Sequence, residues 1–167
     1  GFPLDDVVVH AHQISTGNAA TLQIQVKRSI NFAPNDAVFK KVVRQIAEAI
    51  GKAGFWAGNN ELAIATAAAS RKIDGPYQDV LRWARQLGSA GVFFARLKRA
   101  GTANNDMRAF VETLRVHLRD AGAAHDDDTV WQVLGRLQIL IFDYTAVGSV
   151  AAELSRERAV RVLPIEH

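Results

Sequence analysis

Cysteine is absent from all 167 residues, which removes disulfide scaffolds, thiolate metal sites and a cysteine nucleophile together. That fits a reducing compartment, and a cytoplasmic location is expected. Long apolar runs are missing as well. The longest, Leu137 to Tyr144, falls short of the roughly 18 residues needed to span a bilayer and is interrupted by Gln138 and Asp143. No membrane span and no signal-peptide pattern are expected. Neither GxxxxGK[ST] nor GxGxxG nor GxSxG occurs, so nucleotide binding through a phosphate loop and serine-hydrolase chemistry are not written in this chain. Charge of one sign is scarce too. A formal net charge of +3 helps approach to a polyanion but is too small to argue nucleic-acid binding alone.

What is present is an ordinary globular composition, 49% hydrophobic and 22% charged, enough for one packed core without long disorder. The chain opens at Gly1 without an initiator methionine and closes on the apolar run Val160 to Ile165. It is expected to be a piece of a longer protein.

Leu4 to His12 reads as a strand because Val7, Val8 and Val9 are β-branched and nothing there has helical spacing. After turn residues Ser15 to Asn18 comes the clearest strand, Thr21 to Ile30. Leu22, Ile24, Val26 and Ile30 share one face; Thr21, Gln23, Gln25, Lys27 and Ser29 share the other. The two runs are expected to pair as an antiparallel hairpin. Pro34 and Asn35 then introduce a helix from about Asp36 to Lys52, striped by Val38, Val42, Ile46 and Ile50, with Phe39 and Val43 widening the face. Glu61 to Ala67 has the look of a buried strand. From about Asp74 the pattern turns helical, with segments at Tyr77 to Gly88, Ala90 to Arg99, beyond Asn104 or Asn105, and beyond Asp126 to Asp128. Ile139 to Tyr144 reads either as a short strand or as a continuation of that last helix, and Gly148 to Val160 as helical. The expected fold is α/β, or more strictly α+β: a small mixed sheet with a flanking helix over residues 1–70, then a mainly helical extension over 71–167.

Alternation puts Gln25, Lys27 and Ser29 on one face of the second strand, and if the hairpin pairs normally Asp6 can sit near Gln25 and Lys27 across the ladder. An acid, an amide and a lysine brought together are equipment for metal-assisted phosphodiester hydrolysis. Asp6 would ligate a divalent cation, with Gln25 and the Val26 carbonyl adding neutral oxygens and Lys27 stabilising charge on the phosphate. Asp5 becomes the ligand if the phase is shifted by one; by parity it lies with Val7 and Val9, on the side expected to pack against the helix. Ser29 and Gln45 are supporting candidates. His10 and His12 alternate on the first strand, but with no third histidine nearby an exposed pair is the simpler reading. Asp126 to Asp128 lack the spacing of a calcium loop and read as a helix start. The basic residues between Arg82 and Arg119 read as solvated helix faces, or alternatively as a DNA-backbone surface.

Asp6 followed by Gln25-Val26-Lys27 resembles the D…(E/Q)xK signature of the PD-(D/E)xK nucleases, the Gln form being similar to that of Mrr-like restriction nucleases. Leu-Asp-Asp-Val-Val-Val and Leu-Gln-Ile-Gln-Val-Lys-Arg-Ser also resemble nuclease domains at the head of bacterial anti-phage defence proteins. The likeness covers about Leu4 to Ala67. It implies a restriction-endonuclease-like core and a Mg2+- or Mn2+-dependent endonuclease acting on double-stranded DNA. It also implies a signal-transducing NTPase or sensor module beyond His167, and homo-oligomers. The family fold begins with a helix and a strand ahead of this aspartate, which have no counterpart before Leu4. Gln25 in place of an acid also removes one negative charge, which weakens metal binding. Both departures leave an alternative: an inactive DNA-binding or protein-assembly module of the same fold.

Overall fold

A computed structural model of the chain describes residues 6–12, 19–67 and 70–142, with side chains at 11 and 12 left aside. Four strands form one mixed sheet in the order β1-β2-β3-β4: β1 (Val7–His12), β2 (Ala19–Lys27), β3 (Asn59–Thr66) and β4 (Leu137–Ile141). β1 and β2 make the expected antiparallel pair, with Val7 opposite Ile24 and His10 opposite Thr21. β3 joins β2 in parallel, and β4 joins β3 in parallel. The fold is therefore α+β with a small mixed sheet.

Helix α1 (Ala37–Ile50) is the crossover between β2 and β3. Asp36 caps it, accepting from the Val38 amide at 2.8 Å, and its second carboxylate oxygen takes the Asn31 amide at 2.7 Å. Phe39, Val42, Val43, Ile46 and Ile50 are buried as their spacing requires, whereas Val38, on the first turn, is left at the surface. Between β3 and β4 come four helices: α2 (Gln78–Gln86), α3 (Ala90–Lys98), α4 (Asn105–Asp120) and α5 (Asp127–Arg136). Ser89, Asn104 and Asp126 supply the caps of the last three, so the aspartate run is a helix start as expected. α2 is preceded by a single π-helical turn, Ile73–Tyr77, with Pro76 inside it. The stretch at 137–141 resolves to a strand, so the strand alternative for Ile139 onward holds and begins two residues earlier, at Leu137.

One expectation fails. Period 2 correctly sorts the β2 side chains into two sets, but the helices cover the opposite set from the one anticipated. Gln23 and Gln25 share their face with Leu62 and Ile64 of β3 and Leu137 and Ile139 of β4, and it is these apolar residues that join the core with α1, α2, α4 and α5. Gln23 and Gln25 are buried there. Val7, Val9 and Val26, on the other face, remain 45%, 44% and 49% exposed. The side of Val7 and Val9 is thus not the helix-packing side. The covered face follows from where the β2–α1–β3 crossover carries the chain, which is a matter of hand and not of composition. β2 also ends at Lys27, so Ser29 lies on the following turn instead of the strand, and Ile30 enters the core from that turn.

No helix among the described residues is long and apolar enough to cross a membrane. Asp5 and the stretch 148–160 lie outside the described residues.

Candidate functional site

Pairing brings Asp6, at the foot of β1, to the β2 segment Gln25-Val26-Lys27. One carboxylate oxygen of Asp6 collects three donors: the Gln25 side-chain amide, the Val26 backbone N–H at 2.8 Å and the Lys27 ammonium at 3.6 Å. Every residue of the expected trio is therefore in one place. Exposure grades across it: the Asp6 carboxylate is open to solvent, Lys27 is about three-quarters covered, and Gln25 is 2% exposed. A largely covered lysine paired with one solvent-open carboxylate is net neutral, and offers an ammonium to an oxyanion and an oxygen ligand to a hydrated cation.

Gln25 has one oxygen left over. Its Oε1 is buried with no hydrogen-bond partner among the described residues, an arrangement that usually costs stability unless a ligand completes it. Gln23 Oε1, from the same strand face, and Gln45 Oε1, on α1, are orphaned in the same way. Gln45 is thereby marked out by its environment as well as by its sequence position. Three buried amide oxygens without partners are unusual in a small core.

The donor set fits a hard divalent ion in a lean form: one carboxylate from Asp6, an unsatisfied amide oxygen from Gln25 and the Val26 carbonyl. Mg2+ is commonly held by one or two carboxylates together with waters and substrate phosphate oxygens, so this set alone makes a weak site. Among the described residues no cluster of three histidine, cysteine or acidic side chains offers a second, stronger centre. His10 faces Thr21 Oγ1 at 3.3 Å and is exposed.

Most arginines of the helical region are engaged within the molecule. Arg82 pairs with Asp79, and Arg115 with Asp127 and Glu112. Arg96 lies 4.2 Å over the Trp83 ring, and Arg108 donates to the Leu97 carbonyl. Trp56, Trp83 and Trp131 are partly buried against the core.

Sequence reasoning missed a cleft of about 520 Å³ next to the site, which begins at Ser29 and is walled by residues from three separate segments. Its rim carries Lys72 and Asp106, 2.8 Å apart, and the hydrogen bond that the Lys72 ammonium donates to Asp106 raises its pKa above the usual value. Tyr77, inside, is shifted upward by burial. Only the Gly75-Pro76 step, a turn signal at the edge of the cleft, was available in the sequence to point there.

No family model matches the chain, and neither a curated protein nor a solved structure does.

Proposed function

We propose that the chain is a divalent-metal-dependent deoxyribonuclease domain, hydrolysing DNA phosphodiesters at Asp6, Gln25 and Lys27. The observation that carries this reading is the convergence of the Gln25 amide, the Val26 N–H and the Lys27 ammonium on one oxygen of Asp6, beside an unpartnered Gln25 Oε1. Residues 19 to 21 positions apart in the chain meet there, which supports the resemblance to PD-(D/E)xK nucleases. Mg2+ or Mn2+ held by Asp6, Gln25 Oε1 and the Val26 carbonyl would supply charge neutralisation at the phosphate and an activated water. Asp6 would anchor that charge. Lys27 would turn from Asp6 to a non-bridging phosphate oxygen, where its ammonium stabilises the charge that develops as water adds. Gln25 now presents its amide N–H to Asp6, and its amide would turn over to offer Oε1 to the ion. Double-stranded DNA is the proposed substrate, in the cytoplasmic setting of a bacterial defence protein whose sensor module would follow this chain; oligomers belong to the same proposal.

A second reading has one specific support: a single carboxylate, already engaged by Lys27, makes a weak metal site. On that reading the fold binds DNA or assembles without cutting. Plasmid nicking with Mg2+ or Mn2+, comparing wild type with Asp6→Ala and Lys27→Ala, separates the two. Metal-dependent nicking reduced by about 100-fold or more in both variants is expected, as for loss of a principal electrostatic contact. Equal nicking in all three proteins overturns the assignment, and DNA binding without nicking establishes the second reading.

A further inference from the structure

The cleft beside Lys27 has no part in the chemistry just described, yet three independent features converge on it. It lies where the chain leaves the carboxyl ends of the parallel strands β2 and β3, the edge at which open parallel sheets bind ligands. Its first residue, Ser29, is two positions past Lys27, at most about 7.6 Å along the chain. Its walls also hold the two backbone departures of the fold. Phe32 is the only residue other than glycine at positive φ (56°) among the described residues, a strained state that persists only where the surroundings enforce it. Ile73–Tyr77 is a π-helical turn, a form that recurs at functional sites. The floor is apolar and stiff: Tyr77 stacks on Phe110 at 4.5 Å, and Phe32 meets both rings edge-on. At the mouth stands the exposed Lys72–Asp106 pair, and a volume near 520 Å³ is within the usual ligand range of about 300–1,000 Å³.

We propose that this cleft takes one base of the DNA strand, turned out of the stack beside the scissile phosphate, and that the base is guanine. This rests on the nuclease reading of Asp6 and Lys27. The chemistry of the rim selects the base. Guanine presents two adjacent N–H groups on its Watson–Crick edge, which match the two oxygens of a carboxylate, and beside them the O6 acceptor, which matches an ammonium. Asp106 and Lys72 offer that carboxylate and that ammonium 2.8 Å apart. Adenine and cytosine present a lone pair where guanine has its second donor, so the carboxylate would meet an acceptor. Thymine has a single N–H between two carbonyls. A phosphate at this position would face Asp106 and is disfavoured by charge.

The test is an NMR titration of the 167-residue chain, without divalent metal, against dGMP, dAMP, dCMP and dTMP. All four carry the same phosphate, so selectivity isolates the base. We expect dGMP to shift the amides of Lys72, Asp106 and Phe110, with a Kd about tenfold below the others, as one bidentate base contact allows. Asp106→Asn should erase the preference by placing an amide donor against the guanine donors; Lys72→Met, on the exposed rim, should weaken dGMP binding with the fold retained. Equal binding of all four, or dGMP shifts confined to other parts of the chain, overturns the proposal. Lys27→Ala run in parallel should retain the guanine preference while losing plasmid nicking. A guanine-selective cleft in a wild-type protein that does not nick would overturn the nuclease reading and leave the base site standing.

Discussion

Helix α4 carries His117 into the packing against α1, where it is 3% exposed with the Phe39 ring 5.6 Å away, edge-on. Burial first, and the positive field of Lys40 second, hold its pKa below the ordinary 6.5. Above pH 6.5 the ring is neutral in folded and unfolded chains alike and adds no pH dependence. Below it the unfolded chain takes up the proton first, so stability is lost as pH falls toward the folded pKa. The urea midpoint should therefore drop between pH 7 and pH 5, and His117→Leu should flatten that decline; equal slopes in the two proteins would overturn the assignment. Asp120, held down by its hydrogen bond from Lys40, protonates well below this window. Residue-level legibility was uneven for a physical reason. Gln25 and Lys27 could be grouped from the sequence because side chains two apart on a strand share a face, and Asp6 joined them on the expectation that the two strands pair as a hairpin. The burial of Gln25, which leaves its Oε1 without a partner, could not be read, because the covered face is chosen by the crossover and a pair of glutamines argues for solvent.

At the scale of elements, one side chain closes the joint between α5 and the start of β3. Arg136, the last residue of α5, donates to the carbonyls of Trp56, Gly58 and Asn60 at 2.9–3.0 Å and lies 5.4 Å from the Trp56 ring. A planar guanidinium can serve three fixed acceptors; an ammonium cannot reach all of them. Arg136→Ala should cost about 2–3 kcal/mol by chemical denaturation, since partly buried carbonyls lose charged donors. Arg136→Lys should recover less than half of that, and a loss under about 0.5 kcal/mol, the ordinary surface range, would show that the joint is held elsewhere. The same corner explains an ambiguity in the sequence. Val130, Trp131, Leu134 and Leu137 continue a helical spacing, so Leu137 looked helical. The helix stops at Arg136 because β3 offers Leu137–Ile141 a parallel ladder. Elements with strong alternation or a cap, such as β2 and α1, were legible to within a few residues. The π-helical turn at Ile73–Tyr77 carries no periodic signal and was not.

At the scale of the whole molecule, the described residues share one hydrophobic core. Phe39 and Ile46 of α1, Ile64 of β3, Leu114 of α4, Leu134 of α5 and Leu137 of β4 belong to a single buried cluster. A core shared this widely should unfold as a unit. Circular dichroism at 222 nm and tryptophan fluorescence should give coincident denaturation curves, whereas two separated transitions would mean that residues 1–70 and 71–167 hold themselves together independently.

The β3–β4 ladder has a consequence in time. Leu62 pairs with Leu137, 75 positions later in the chain. At a translation rate of about 5–20 residues per second, β3 leaves the ribosome roughly 4–15 seconds before its partner does. Through that interval the strand edge of Leu62 to Thr66 is open to any other extended segment. The four helices that intervene are the stretch during which the nascent protein most needs a holding chaperone.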